Sequence, residues 1–350
     1  MDGIVSKIIY NVAMLFVMMV PGVILKKTKM ISDGFGKGLS NLVLYIAQPS
    51  LVFLAYVRPF DKQMLINSVY VLVFSVIAHA VFAVIALNVF KKCPDAQGRM
   101  LKFATIFANA AFMGIPLIKL VLEDTYPGAT MYASIYNITY NLFLWSLGVK
   151  ICTAGRDVNA DGVDDYKEVS SLRSIENDDE KVKNGSGSIM KAIIHPVTIA
   201  AAIGLVFFAI PYEKINLAPA LQTVVNLGYE SLTMLSNLVA PLSMVVIGIR
   251  LADIDFKRAF NDKLMYLFLA LRHVALPLIM IGILKLIGLC GLDIPHVVSM
   301  VVVILAATPA AAASTMFAEK FNCDSMYVSK LVVISTILAI GTMPLILLLV

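Results

Sequence analysis

Hydrophobic residues in this chain are gathered into long runs separated by polar stretches. The runs cover roughly 4–25, 38–57, 64–90, 101–122, 129–152, 189–210, 218–251, 263–289, 296–318 and 326–349. A helix needs about 20 mostly apolar residues to cross a bilayer, and each run meets that length. The pattern predicts an all-α integral membrane protein with about ten transmembrane helices. The seventh run is too long for one straight crossing. It reads either as an interfacial stretch around Ala218 to Glu230 followed by a span, or as one tilted, kinked helix. The first run lacks a basic leader, and Pro21 to Lys27 does not resemble a small-residue cleavage site, so it is read as a span.

Polar positions fall between the runs, and their charges alternate. The odd-numbered loops are basic: Lys26, Lys27, Lys29 and Lys37 in the first, Lys91, Lys92 and Arg99 in the third. Arg156, Lys167, Arg173, Lys181 and Lys183 lie in the fifth, and Lys257 and Arg258 in the seventh. The even loops are short and nearly free of basic residues: Lys62 in the second, next to Arg58 at the end of the second run, Lys214 in the sixth and none in the fourth. Basic residues stay in the cytoplasm, which places the odd loops inside and both termini outside the cytoplasmic membrane. The long fifth loop, 153–188, then lies in the cytoplasm between a first half, 1–152, and a second half, 189–350. Five spans per half invert the second half relative to the first, which predicts an inverted repeat. The net charge of +5 is explained by these loops, so no nucleic-acid partner is implied. Composition agrees: 59% of residues are hydrophobic and the mean hydropathy is +0.86, against about 45–50% apolar in soluble domains.

The second and seventh runs can be superimposed. Ala47-Gln48-Pro49-Ser50-Leu51 resembles Val239-Ala240-Pro241-Leu242-Ser243. Arg58 follows Pro49 at the distance at which Arg250 follows Pro241, and Asp61 and Asp253 keep step. The plainer alternative is two unrelated kinked helices with ordinary flanking charges, but the charge alternation favours a repeat.

Two runs carry signals for a helix break. In the fourth, Asn109 is a lone amide in an apolar stretch, flanked by Ala108 and Ala110 and followed by Gly114 and Pro116. In the ninth, Thr308-Pro309-Ala310 leads into a row of alanines. Each is fourth in its half, as expected of discontinuous helices that meet near the midplane. A broken helix presents backbone N–H groups and a partial positive charge at its new N-terminus, which suits a carboxylate. A kink in a continuous helix would explain either proline alone; two symmetry-related ones favour a binding site. The substrate-binding candidates are therefore Asn109, Ala110, Thr308, Pro309 and Ala310.

At these segments the chain resembles the auxin efflux carrier family, which includes plant PIN-type carriers and bacterial carriers of small carboxylates. The resemblance covers nearly the whole chain outside the fifth loop. Asn109 with Met113-Gly114-Ile115-Pro116-Leu117 is similar to the family's fourth-helix element. His195-Pro196 with Gly204-Leu205 resembles its sixth-helix element, and Arg272 with Pro277 its eighth. Pro309 and Phe317 to Asn322 resemble the ninth-helix crossover and its exit. The resemblance implies a scaffold of helices 1, 2, 6 and 7 and a transport body of helices 3–5 and 8–10. The two would move in an elevator-like manner, with the site where helices 4 and 9 cross. It also implies a homodimer. The chain departs from plant members at Ala108, where they have proline, and at Ala310, where they have an amide.

Other polar residues have two readings each. Arg272 lies inside its span, where an unpaired charge is costly. It would pair with Glu230, neutralise a substrate or snorkel to the cytoplasmic face, and a structural role is favoured. His79 and His273 read as hydrogen-bonded filler rather than a proton relay. Asn137, Tyr140 and Asn141 put polar atoms on helix 5; Asn137 and Asn141 are added to the site candidates, although such groups also join helices together. In the fifth loop Asp157, Asn159, Asp161, Asp165 and Glu168 fit a calcium-loop spacing with Gly162 at the turn. Asp164 stands where an apolar residue is usual and no amphipathic helix pair flanks it, so chance in an acidic linker is the favoured reading. The loop as a whole reads as disordered. Cys93, Cys152, Cys290 and Cys323 form no CxxC pair and suggest no disulfide or zinc site.

These readings converge on a secondary carrier of a small organic anion, with the bilayer as its solvent and no cofactor. The sequence has no HExxH, no GxSxG and no P-loop, so neither an intramembrane enzyme nor an ATP-driven pump is expected. A proton- or sodium-coupled symporter and a non-transporting receptor of the same fold are the alternatives.

Overall fold

The computed structural model describes residues 2–32, 34–93, 95–154, 194–210, 218–253 and 262–350. Helices fall in every apolar run. The first run holds α1 (Asp2–Val17) and α2 (Val20–Lys27). The second holds α3 (Phe35–Leu42) and α4 (Gln48–Tyr56), and the third is α5 (Lys62–Val89). The fourth splits into α6 (Ala96–Ile106) and α7 (Ile115–Val121), and the fifth holds α8 (Ala129–Phe143) and α9 (Val149–Thr153). Then follow α10 (Pro196–Ala209), α11 (Pro219–Asn237), α12 (Val239–Ala252), α13 (Lys263–Ala270) and α14 (Leu276–Leu289). The last two runs hold α15 (His296–Ala307), α16 (Ala313–Lys320) and α17 (Ser325–Leu347). Six helical stretches are long and apolar enough to cross a membrane, and no β-strand occurs among the described residues. The chain is an all-α membrane protein.

Prolines set where these helices deform. A proline has no N–H, and its ring collides with the carbonyl four residues back. Pro21 and Pro241 each break the helix there: α1 ends at Val17 and α11 at Asn237. The seventh run is thus a kinked helix, and the first, read from the sequence as one span, is likewise broken at its proline. Pro49, Pro116 and Pro277 are handled differently. Each follows a π-turn, Val43–Ala47, Ala110–Gly114 and Leu271–Ala275, that ends two residues before it. The wider turn takes up the clash without ending the helix. A π-turn at Leu144–Gly148 has no such proline, and we have no physical account of it.

Two packed groups emerge. α10 and α11 pack on α4, and α12 on α2. There Gly22 lies against the Val245 carbonyl and Gly248 against the Met19 carbonyl, so neither has room for a Cβ. In the other group α5 packs on α6 and α8, α15 on α5, α8 and α14, and α17 on α16 and α6. The exterior is apolar: α5 exposes Val69, Val73, Val76 and Val84 while burying Val71, Phe74, Ala78 and Phe82. An apolar outer surface on this scale is stable only against lipid.

Candidate functional site

The two breaks meet. α6 ends at Ile106, and Phe107 turns to an extended backbone (φ −93°, ψ 110°) before the helix resumes at the π-turn. α15 ends at Ala307, Thr308 is extended (φ −61°, ψ 150°), and α16 begins at Ala313. The unwound segments run antiparallel. The Asn109 N–H donates to the Pro309 carbonyl at 2.7 Å, and the Ala311 N–H to the Phe107 carbonyl at 2.9 Å. The pairing satisfies backbone groups that each break would leave bare in an apolar interior. Ala108 lies opposite Ala310. In an antiparallel pair of this kind the facing residues do not bond each other and their side chains come closest, which favours alanine at both positions. Gly114 is constrained too: a Cβ there would stand 2.5 Å from Leu305 Cδ2 and 3.3 Å from Thr308 Cγ2.

A fully buried arginine ties the crossing together. Arg272 Nε donates to the Thr308 carbonyl at 3.0 Å, and Nη2 to the carbonyls of Thr308 and Ala306, both at 2.8 Å. Nη1 reaches the Thr105 carbonyl at 3.1 Å. The guanidinium lies 5.6 Å from the Phe82 ring centroid. These bonds fit the favoured structural role, but through neither a Glu230 pair nor snorkelling, because Arg272 is fully buried and bonds only backbone carbonyls. Glu230 is exposed on α11 and is not among the guanidinium's hydrogen-bond partners. Ser335 on α17 adds a further tie, accepting from the Ala310 N–H at 3.0 Å. The sequence reading did not single out Ser335, since one serine in an apolar helix carries no distinctive pattern.

Several buried polar atoms at and around the crossing have no hydrogen-bond partner. Asn109 is 2% exposed and its Nδ2 is unpartnered, as are the hydroxyls of Ser314 and Thr315 at the start of α16. Asn137 and Asn141, buried one turn apart on α8, belong to a helix that packs on the Ala110–Gly114 π-turn; Asn137 Oδ1 is also unpartnered. Gln48 at the start of α4 has both amide atoms unpartnered, and so is the hydroxyl of Ser243 on α12, which packs on the same π-turn. Orphaned polar groups in an apolar interior are costly, so this concentration calls for an explanation. The starts of α7 with its π-turn and of α16 add partial positive charge. Donors with no internal acceptor, beside two helix N-termini, suit a small anion.

The structure places Ala108, Asn109, Ala110, Gly114, Thr308, Pro309 and Ala310 at the crossing, with Pro116 in the first turn of α7. Gln48, Ser243, Ser314 and Thr315, which carry further unpartnered atoms, were not singled out in the sequence, because serine, threonine and glutamine stand out only through their surroundings. His79 Nδ1 donates to the Ser75 carbonyl at 2.7 Å, and the ring packs among Tyr136, Tyr140 and Phe143. His273 Nδ1 lies 3.0 Å from the Thr342 hydroxyl. No group of side chains suited to a metal occurs among the described residues. The calcium-loop candidates Asp157, Asn159, Asp161, Asp165 and Glu168 lie outside the described residues.

No curated protein matches the chain. A family model described as membrane transport protein matches residues 7–347. That match spans both helix breaks and both halves of the chain. The protein is a membrane transporter, and the chain belongs to the auxin efflux carrier family.

Proposed function

We propose that this transporter is a secondary carrier that moves a small organic anion, a carboxylate, across the cytoplasmic membrane as a uniporter driven by the membrane potential. The observation that carries the reading is the buried, unpartnered Asn109 amide beside two crossed half-helices. A carboxylate would take up the amide N–H and the N-terminal backbone donors together.

The reading places ten crossings in two inverted halves, with both termini outside and 153–188 in the cytoplasm. It treats α1–α4 and α10–α12 as the scaffold and the remaining helices as the moving body, in an elevator-type cycle within a homodimer. Its support is the packing: most helices of each group contact chiefly their own group, the exception being α1, which packs mainly on α17 and α7 of the other. The crossing lies within the second group, so it would travel as a unit.

A thermal-shift screen of the purified protein against mono- and dicarboxylates tests the binding class, because a ligand of the native state stabilises it. Counterflow of the labelled hit in proteoliposomes tests transport. Stabilisation without counterflow would make the protein a receptor. No response to any carboxylate would remove the substrate class.

A further inference from the structure

The guanidinium of Arg272 has no carboxylate among its hydrogen-bond partners. All four of its hydrogen bonds go to backbone carbonyls, and the residue is 0% exposed. A buried charge inside a membrane protein is costly unless something opposite in sign compensates it. Here the compensation is the C-terminal ends of two half-helices. Thr105 is the next-to-last residue of α6 and Ala306 the next-to-last of α15. The two positions correspond in the two breaks, and Arg272 bonds both. Carbonyls in the last turn lack intrahelical donors, and each helix end carries about half a negative charge. Two such ends meeting in an apolar interior repel each other and attract a cation. In carriers built on broken helices, half-helix C-termini and unwound carbonyls are where a coupling sodium ion is held.

We propose that Arg272 is a tethered cation: its guanidinium fills the place of a coupling ion, joins the C-terminal ends of α6 and α15 into one body, and makes the carrier independent of sodium. The planar fork explains why arginine is used. Nε and Nη2 share the Thr308 carbonyl while Nη2 and Nη1 reach out to Ala306 and Thr105, a spread that one ammonium cannot cover. Arg272 is a positioning residue, since it bonds the frame of the crossing and acts on the anion through it. Only the statement about sodium rests on the carrier reading; occupation of the carbonyls by a cation does not.

The experiment removes the tether and supplies the cation from solution. Purified Arg272→Ala is expected to lose thermal stability and to regain part of it in low-millimolar methylguanidinium. The wild-type protein, and Arg272→Ala in N-methylglucamine at equal ionic strength, are expected to show no such gain. In proteoliposomes the variant is expected to fall about tenfold or more in anion flux and to recover severalfold with methylguanidinium. A folded Arg272→Ala that ignores methylguanidinium in both assays overturns the proposal, and so does wild-type flux in that variant. The thermal arm needs no substrate, so it stands or falls separately from the organic-anion reading. If Arg272→Ala does not accumulate, Arg272→Lys and Arg272→Gln decide: the lysine, which keeps the charge, is expected to be clearly the more stable, and equal stability overturns the proposal.

Discussion

Arg58 at the end of α4 and Glu123 beyond the end of α7 form an ion pair, Nη2 to Oε1, at 2.7 Å. Both side chains are largely shielded, at 17% and 23% exposure. Arg58 Nε also donates to the Ala55 carbonyl at 2.8 Å. Glu123 accepts from the backbone N–H groups of Gly128 at 3.0 Å and Thr130 at 2.7 Å. A second pair, Lys7 with Asp124 at 2.9 Å, ties α1 to the same turn. Under the proposed division both pairs join the scaffold to the moving body, on the side assigned to the outside. Arg250, which the sequence comparison sets against Arg58, instead donates to the Ala312 carbonyl at 2.8 Å, just beyond the crossing.

The Arg58–Glu123 pair should make stability depend on pH. Burial opposes the charged form of Glu123. The Arg58 charge and the backbone N–H groups of Gly128 and Thr130 outweigh it and hold the carboxyl below its ordinary value. A carboxyl with a lower pKa folded than unfolded adds stability above its unfolded value and loses it as pH falls through the folded one. Glu123→Gln should therefore cost about 1–2 kcal/mol at neutral pH and remove part of the loss in acid. Thermal unfolding of both proteins from neutral pH downward checks this. Parallel curves would show that the pair contributes nothing.

Asn109→Leu should weaken anion binding and leave the unliganded protein about as stable as before. The amide Nδ2 has no protein partner, so its removal breaks no internal hydrogen bond. Asn67 is the contrast. Its Nδ2 donates to the Tyr132 hydroxyl at 3.1 Å and its Oδ1 accepts from Gln63 at 3.0 Å, so Asn67→Leu should destabilise by about 1–3 kcal/mol. Thermal shifts with and without the screened carboxylate separate the two. An Asn109→Leu protein that keeps the full ligand response would leave Asn109 without a role in binding.

Much of this arrangement can be read from the chain alone, because a bilayer imposes length and apolarity on every span. The breaks at Asn109 and Pro309 were also legible, since few other signals interrupt those runs. How each proline is accommodated was not. Pro21 and Pro116 look alike in sequence, yet one ends a helix and the other follows a π-turn. The partners of Arg272 were hidden as well. They are backbone carbonyls, which every residue carries, so no residue type announces them. The same holds for the Asn109–Pro309 backbone bond that joins the two halves of the site.

Gly114→Ala tests whether the closeness of the crossing matters. The added methyl would meet Leu305 Cδ2 at 2.5 Å and Thr308 Cγ2 at 3.3 Å. Leu305 is fully buried, so it has little room to retreat. Overpacking of this kind costs about 1–3 kcal/mol. Anion flux should fall, and Gly114→Ala with Leu305→Ala should recover part of it by freeing the space. If the double variant is worse than the sum of the singles, the contact is not what limits the crossing.

The charge of Arg272 leads to a specific expectation about the membrane potential. Among the described residues no aspartate or glutamate is fully buried, and Arg272 carries the buried positive charge at the crossing. If that body moves as a unit, the loaded form carries a monovalent anion and one guanidinium, with no net charge. The empty form returns with one positive charge. A full cycle still moves one negative charge outward, worth about 2.3 kcal/mol per 100 mV, enough to hold a roughly fiftyfold gradient. The potential, however, acts on the return of the empty carrier. Net flux should therefore follow an imposed potential at fixed pH without sodium. Exchange of labelled for unlabelled anion, which never requires the empty carrier to cross, should ignore the potential. Both are measurable in one proteoliposome preparation with a potassium diffusion potential. Exchange that responds as steeply as net flux would place the moving charge on the loaded form. Net flux that needs a proton or sodium gradient would replace uniport with symport.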